Sequence, residues 1–70
     1  MAQRYEDGGD LPYRILYNRP GTVARSQELR FSDAGLARDE IEKLIRRGHS
    51  VDYAEWDHVG RCYITKDAYN

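Results

Sequence analysis

The chain has 70 residues, of which 40% are hydrophobic and 33% charged, and its formal net charge is -1. This length is too short for two cores, while six tyrosines, one tryptophan and one phenylalanine supply enough apolar area to fold. A single cysteine excludes an internal disulfide, and no apolar run is long enough to span a membrane. We therefore expect one small cytoplasmic domain with a thin core and no membrane partner.

The N-terminal part of the chain predicts a tail followed by a first β-hairpin. Residues 1–11 contain a Gly-Gly-Asp sequence and no apolar period, so we expect a flexible tail ahead of a single domain at 12–70. The β-forming residues 13–17 predict the first strand, and Asn-Arg-Pro-Gly at 18–21 supplies a turn. Alternating apolar and polar residues then predict a second strand over about residues 23–31.

The residues that follow combine a start, a period and a stop signal for a helix, which we place at about 33–47. Ser32 is the predicted N-cap, and Asp33 follows it in the first turn, where the helix dipole favours a negative charge. Gly48 is expected to adopt the left-handed conformation that ends many helices. The apolar stripe at helical spacing consists of Ala34, Ala37, Ile41, Leu44 and Ile45.

The C-terminal part predicts a second hairpin. Its first strand, 50–56, alternates imperfectly, which indicates a bulge or burial on both faces, and a turn at 57–60 leads to a returning strand at 61–66. The order ββαββ predicts an α+β two-layer sandwich, in which one helix packs on one face of a four-stranded antiparallel sheet. The aromatic residues exceed the needs of one thin core. We expect the uncovered face to carry Tyr13, Tyr17, Tyr53, Trp56 and Tyr63.

The residues with catalytic or metal-binding chemistry form no known motif. His49, His58 and Cys62 have suitable ligand atoms, but a structural zinc site needs four ligands in paired spacing. Carboxylates crowd the second hairpin, where strand alternation separates Asp52 from Glu55. No serine or cysteine lies in a nucleophile motif, and no glycine loop is of the phosphate-binding type. The sequence therefore predicts no cofactor, no metal and no enzymatic activity.

The charges are unevenly distributed along the chain, which suggests two different binding surfaces. Residues 11–31 carry four arginines against Glu28, a sum of +3, whereas residues 48–70 carry four acids against Arg61 and Lys66, a sum of -2. Tyrosine, tryptophan and arginine are enriched at protein interfaces. The candidate aromatic and basic binding residues are Tyr13, Arg14, Tyr17, Arg19, Arg25, Trp56 and Tyr63, and the candidate acidic ones are Asp52, Glu55, Asp57 and Asp67.

Binding of a protein partner is the leading functional interpretation. In size and architecture the chain resembles small inhibitors encoded by phages and mobile elements, including anti-CRISPR proteins. This resemblance implies that the acidic residues take the place of nucleic-acid phosphates against a basic groove of a host protein complex. The alternative is a nucleic-acid-binding domain that uses the Tyr/Arg-rich first hairpin and the open sheet face. A homodimer is also compatible with the sequence.

Overall fold

The computed structural model describes residues 10–69, which form a four-stranded antiparallel sheet and one helix. The elements in chain order are β1 (Tyr13–Tyr17), β2 (Gln27–Phe31), α1 (Ala34–Arg46), β3 (Val51–Asp57) and β4 (Cys62–Tyr69). The strand order is β2-β1-β3-β4, so the two hairpins lie side by side and β1 pairs with β3. The predicted ββαββ order and α+β fold are confirmed. In the described part of the chain, no helix has the length and apolarity that crossing a membrane requires.

The start of α1 differs from the prediction by one residue. The N-cap is Asp33, whose Oδ2 accepts a hydrogen bond from the backbone N–H of Leu36 at 3.1 Å. The prediction that Ser32 caps the helix is therefore wrong. Aspartate and serine cap helices about equally well, so the sequence does not discriminate between them. Strand β2 continues through Phe31, and Ser32 is used to turn the chain toward the helix.

The end of α1 follows the prediction. Gly48 has a φ of 91°, in the left-handed region that glycine adopts without strain. Its N–H donates to the carbonyl of Ile45 at 2.9 Å, and the N–H of His49 donates to the carbonyl of Leu44 at 3.0 Å. These bonds satisfy carbonyls that the helix leaves unpaired and direct the chain back to the sheet.

The core lies between α1 and one face of the sheet, which we call the helix side; the other face is the open face. Side chains alternate along a strand, so residues in register with Ile15, such as Leu29 and Tyr53, share its side. The buried residues of this core are Ile15, Ala37, Ile41, Leu44 and Val51, and around them pack Tyr13, Tyr17, Leu29, Phe31, Tyr53 and Tyr69.

Three of the aromatic residues expected on the open face lie on the helix side instead. Tyr13, Tyr17 and Tyr53 pack against the core cluster, which corrects that prediction. The core has few large aliphatic residues, and tyrosine rings complete its periphery while their hydroxyls reach the edge. Trp56 and Tyr63 are paired across β3 and β4, and both lie on the open face.

Both faces of β3 are covered, which explains its imperfect alternation. Ala54 is 2% exposed although it points away from the main core. The register shifts between Tyr53 and Ala54, whose partners on β4 are Asp67 and Thr65. Lys66 is therefore an extra residue without a partner on β3, and the bulge belongs to β4.

Strand β2 is shorter than predicted. Tyr17 pairs with Gln27, and β1 ends at that pair, so the residues before Gln27 have no β1 residue opposite them. Val23, which the alternation assigned to the strand, is 85% exposed in the connecting loop.

The residues before β1 contact the second hairpin. The carbonyl of Leu11 accepts a hydrogen bond from the Tyr63 hydroxyl at 2.7 Å. The carbonyl of Pro12 accepts one from the backbone N–H of Trp56 at 2.8 Å. The rest of the predicted tail, residues 1–9, lies outside the described residues.

Candidate functional site

A groove runs between α1 and the β3–β4 hairpin on the helix side, and its volume is about 290 Å³. We call it the α1–β4 groove. The helix contributes one wall and the two strands contribute the other. The lining residues are Ala34, Arg38, Ile41, Glu42 and Ile45 from the helix, and Tyr53, Asp67 and Tyr69 from the strands.

The groove exists because one helix cannot cover four strands. Adjacent strands lie about 4.8 Å apart, whereas a helix with its side chains is about 10–12 Å across, so it covers two to three strands. Helix α1 packs mainly on β1 and to a smaller extent on β2 and β3. Strand β4 consequently lies beside the helix rather than beneath it.

Apolar side chains in the groove, and farther along the same side of β4, are only partly buried. Ile45, a member of the predicted apolar stripe, is 39% exposed, and Ile64 on β4 is 43% exposed. Ile64 pairs with Glu55 and therefore lies on the helix side. Tyr53 and Tyr69 are half-buried. An apolar surface rimmed by polar groups is typical of a site that binds a partner.

Asp67 lines the sheet wall of the groove, and the same side of the strands carries further carboxylates beyond the lining. We call these carboxylates the acidic sheet wall. The strand register places Glu55, Asp57 and Asp67 on the helix side, together with the apolar groups just described. Strands β3 and β4 contain one basic residue, Lys66, and it occupies the bulge. The negative charges of this wall therefore have no basic strand neighbour at a regular position on the same side.

The helix wall is close to neutral by comparison. It carries Arg38 and Glu42, and Glu42 forms an ion pair with Arg46, one helical turn further on, at 3.7 Å. The exposed pair contributes little to stability. The charged lining residues are thus Arg38, Glu42 and Asp67, and the excess of negative charge on this side comes from Glu55 and Asp57 beside the groove.

Tyr53 fixes one carboxylate of the acidic sheet wall. Its hydroxyl donates to Oε2 of Glu55 at 2.8 Å. Burial raises the pKa of Tyr53 well above its ordinary value; the hydrogen bond to Glu55 and the charge of that carboxylate act in the same direction, and Arg38 opposes them. The phenol therefore stays protonated, and Glu55 keeps its donor and its orientation.

The four acidic residues predicted as one binding set do not form one surface. Glu55, Asp57 and Asp67 share the helix side, but Asp52 lies on the open face, where its Oδ2 is 3.5 Å from Nε of Arg25. Asp57 also shapes the hairpin turn, since its Oδ2 accepts from the Gly60 N–H at 2.8 Å.

The open face carries a self-contained cluster of arginine and aromatic side chains. The guanidinium carbons of Arg14 and Arg30 lie 4.5 Å and 5.1 Å from the ring centroid of Tyr63. The ring of Trp56 meets Tyr63 edge-on, with 5.0 Å between centroids. A carboxylate oxygen of Glu28 is 3.8 Å from Arg14 and 3.0 Å from Arg30. Tyr63 thus already has arginine and tryptophan neighbours within the chain.

The predicted aromatic and basic set is also divided. The structure brings four of its members to the open face: Arg14, Arg25, Trp56 and Tyr63. It places Tyr13 and Tyr17 against the core and Arg19 in the exposed loop after β1.

Several residues of these surfaces were not among the binding residues predicted from the sequence. Arg30 shares a strand phase with Glu28, and that alternation was a usable signal. Tyr69 was missed because the last strand was predicted to end at residue 66, three residues early. The sequence assigned Ile45 to the apolar stripe, and its place beside Arg38 in the groove follows only from counting strands against the width of one helix.

The predicted ligand types His49, His58 and Cys62 do not come together as a metal site. Within residues 10–69, no group of three His, Cys, Asp or Glu side chains could hold a metal ion. His49 uses Nδ1 to donate to the carbonyl of Asn18 at 2.7 Å, which fixes the loop after β1. Cys62 is a free, exposed cysteine at the start of β4.

No protein-family model matches the chain, and neither a curated protein nor a solved structure matches it. The chain is defined by its architecture as a small α+β domain with one helix on a wider sheet. Its function must be inferred from the α1–β4 groove and the open face.

Proposed function

We propose that the chain is a non-enzymatic protein-binding module whose partner occupies the α1–β4 groove. The observation that carries this proposal is the half-covered helix side of the sheet. There, Ile45 and Asp67 line the groove, and Ile45 is 39% exposed. Farther along the same side of the strands lie the exposed Ile64 and the carboxylates of Glu55 and Asp57. Apolar contact area next to charges of one sign favours a partner of the opposite sign. The partner is therefore a protein with a basic surface.

In its most specific form, the proposal makes this partner a host protein complex. The contact then covers the basic groove in which that complex binds nucleic acid. The chain then acts in the cytoplasm as an inhibitor of the kind encoded by phages and mobile elements, including anti-CRISPR proteins. The acidic sheet wall would take the place of phosphates, and the groove would add apolar contact area. The exposed thiol of Cys62 suits a reducing compartment.

Affinity capture with a pair of matched helix variants tests the proposal. Ile45→Lys places a charge in the groove, whereas Leu36→Lys places the same charge at a 55% exposed position that does not line it. Both variants are compared with the wild-type chain in a nuclease-treated lysate of the native host, with mass spectrometry as the readout. Circular dichroism first establishes that both are folded.

A protein that the wild type and Leu36→Lys retain, and that Ile45→Lys loses, supports the proposal. Retention of the same protein by all three chains would show that the groove is not the interface. Binding that disappears after nuclease treatment would favour nucleic acid as the partner.

The open face supports a second candidate function, which is nucleic-acid binding. Arg14 and Arg30 lie on the same face as Trp56 and Tyr63, and single-stranded nucleic acids bind to such combinations of arginine and aromatic rings. This candidate ranks second because Glu28 offsets the arginines.

Fluorescence anisotropy with a random single-stranded oligonucleotide decides between the two functions. We expect no measurable binding at about 0.15 M salt, since the net charge of -1 provides no overall attraction for a polyanion. Micromolar binding under those conditions, abolished by Arg14→Glu and unaffected by Ile45→Lys, would make nucleic-acid binding the better account.

A further inference from the structure

We infer that the α1–β4 groove accepts an amphipathic helix of the partner with basic residues along one flank. This inference rests on the proposed function and specifies the structural element that binds. Its starting point is the unequal covering of the sheet. Helix α1 packs over β1 and extends to β2 and β3, and β4 is only partly covered on the helix side, where Tyr69 packs against the core.

A second helix fits the shape of this space. In two-layer folds the helices on a sheet lie about 8–10 Å apart, which is the width of two strands. A helix placed next to α1 would therefore lie above β3 and β4. Strand β4 has eight residues and spans about 26 Å, so a partner helix of about 17 residues matches its length.

The side chains around the groove define the chemistry of that helix. Ile45, Tyr53 and Tyr69 offer apolar surface along the middle of the site, which calls for an apolar stripe at helical spacing. Asp67 lines the groove and Glu55 lies beyond it on the same side of the strands, so the flank of the partner that runs along β4 carries lysine or arginine.

A second copy of the chain does not supply this helix. The described residues contain one helix, and its apolar face is already packed in its own core through Ala37, Ile41 and Leu44. The occupant is consequently a segment of a different protein.

Two synthetic peptides of about 17 residues test the inference. They share one apolar stripe and differ only in their flanks, which carry lysine and arginine in one peptide and glutamate in the other. Each is titrated into the full ¹⁵N-labelled chain and followed by NMR. We expect the basic peptide to shift the amide signals of residues 41–45, 53 and 67–69, and to bind about tenfold more tightly than the acidic one.

Two charge reversals provide the matched control. Asp67→Lys in the groove should weaken the basic peptide by about tenfold, whereas Asp52→Lys on the open face should leave its affinity unchanged. Equal affinity for both peptides, or shifts confined to the open face, would overturn the inference. A dimer in sedimentation that Ile45→Lys dissociates and Asp52→Lys does not would do so as well.

The outcomes of the two proposals are separable. If Ile45→Lys abolishes capture of a protein partner but neither peptide binds the groove, the partner docks by another element and only the helix inference fails. If the captured proteins are unaffected by Ile45→Lys, the proposed function itself fails.

Discussion

The guanidinium carbon of Arg14 on β1 lies 4.5 Å from the ring centroid of Tyr63 on β4, although β3 runs between the two strands. Arg14 is paired with Ala54, and Ala54 is paired with Thr65. The small alanine leaves space for the long arginine side chain to cross β3. Its 2% exposure shows that Ala54 is covered on the open face.

Replacing Arg14 by alanine should lower the free energy of unfolding by about 1–2 kcal/mol, because both the cation–π contact and the packing of the arginine stem are lost. Urea unfolding followed by the fluorescence of Trp56 measures the change, since Trp56 contacts Tyr63. The control is Arg19→Ala in the exposed loop, for which little change is expected. Equal effects of the two substitutions would show that the arginine contact does not contribute to stability.

The local elements of this fold could be predicted from the sequence because their signals lie within a few residues. The left-handed Gly48 ends the helix, and the two hairpin turns separate strands of the expected order. The alternation of residues along β1 also indicates on which side of the sheet its tyrosines lie. Tyr13 and Tyr17 share the phase of Ile15, whereas Arg14 lies in the other phase. Burial of Ile15 therefore implies a helix-side position for both tyrosines.

The candidate binding surfaces could not be predicted in the same way because they depend on pairings between distant residues. The contact of β1 with β3 joins the two hairpins and brings Arg14 toward Tyr63. The bulge at Lys66 decides which acids on β4 share a side with Glu55. A local sequence pattern reports neither of these relationships, and the predicted acidic set consequently included Asp52 from the opposite face.

Asn18 connects the loop after β1 with the loop after α1. Its Oδ1 accepts from the Ser50 N–H at 2.9 Å, and its Nδ2 donates to the Thr22 carbonyl at 2.6 Å. Asn18→Ala should cost about 1–3 kcal/mol of unfolding free energy, since it leaves the part-buried Ser50 N–H without this acceptor.

Chemical denaturation of Asn18→Ala and Thr22→Ala provides the comparison. Thr22 donates its hydroxyl to the Arg19 carbonyl at 2.9 Å in an exposed part of the same loop, so its loss should have a smaller effect. Asn18→Asp should be intermediate, because it keeps the acceptor for Ser50 and loses the donor to Thr22. A smaller effect for Asn18→Ala than for Thr22→Ala would contradict the assignment.

The raised pKa of Tyr53 predicts a specific response to alkaline pH. Tyrosine in the unfolded chain ionises near pH 10, whereas burial and Glu55 keep folded Tyr53 protonated above that pH. The stabilisation linked to this shift is therefore complete below about pH 10 and is lost as the pH rises further toward the folded pKa.

Tyrosine absorbance during an alkaline titration measures this effect. Tyr53→Phe should remove an ionisation that lies above the ordinary range of tyrosine. Glu55→Gln should move that ionisation to lower pH, because the carboxylate that adds to the effect of burial on the pKa is gone. Circular dichroism over the same pH range shows where the chain remains folded. An unchanged absorbance profile for both variants would be inconsistent with the Tyr53–Glu55 contact.

The bulge at Lys66 affects how the edge strand β4 can pair with another molecule. Strand β4 is an edge of the sheet, and exposed edges can pair with those of other molecules. Two β4 strands could pair as symmetric antiparallel partners only if their side chains alternate regularly between the two faces of the sheet. Each residue would then lie opposite a residue that points to the same face. The extra residue at Lys66 interrupts this alternation between Thr65 and Asp67, so continuous pairing along the whole strand is prevented.

Deleting Lys66 should therefore increase self-association. The deletion preserves the pairs Ala54 with Thr65 and Tyr53 with Asp67, so the hairpin can keep its register while β4 becomes a regular edge. Sedimentation velocity over a range of protein concentrations would show dimers or larger species beyond those of the wild-type chain. Lys66→Ala keeps the bulge and removes only the charge, so it should behave more like the wild type. If both variants associate equally, the lysine charge rather than the bulge protects the edge; if the folded deletion variant sediments as the wild type does, neither feature is needed.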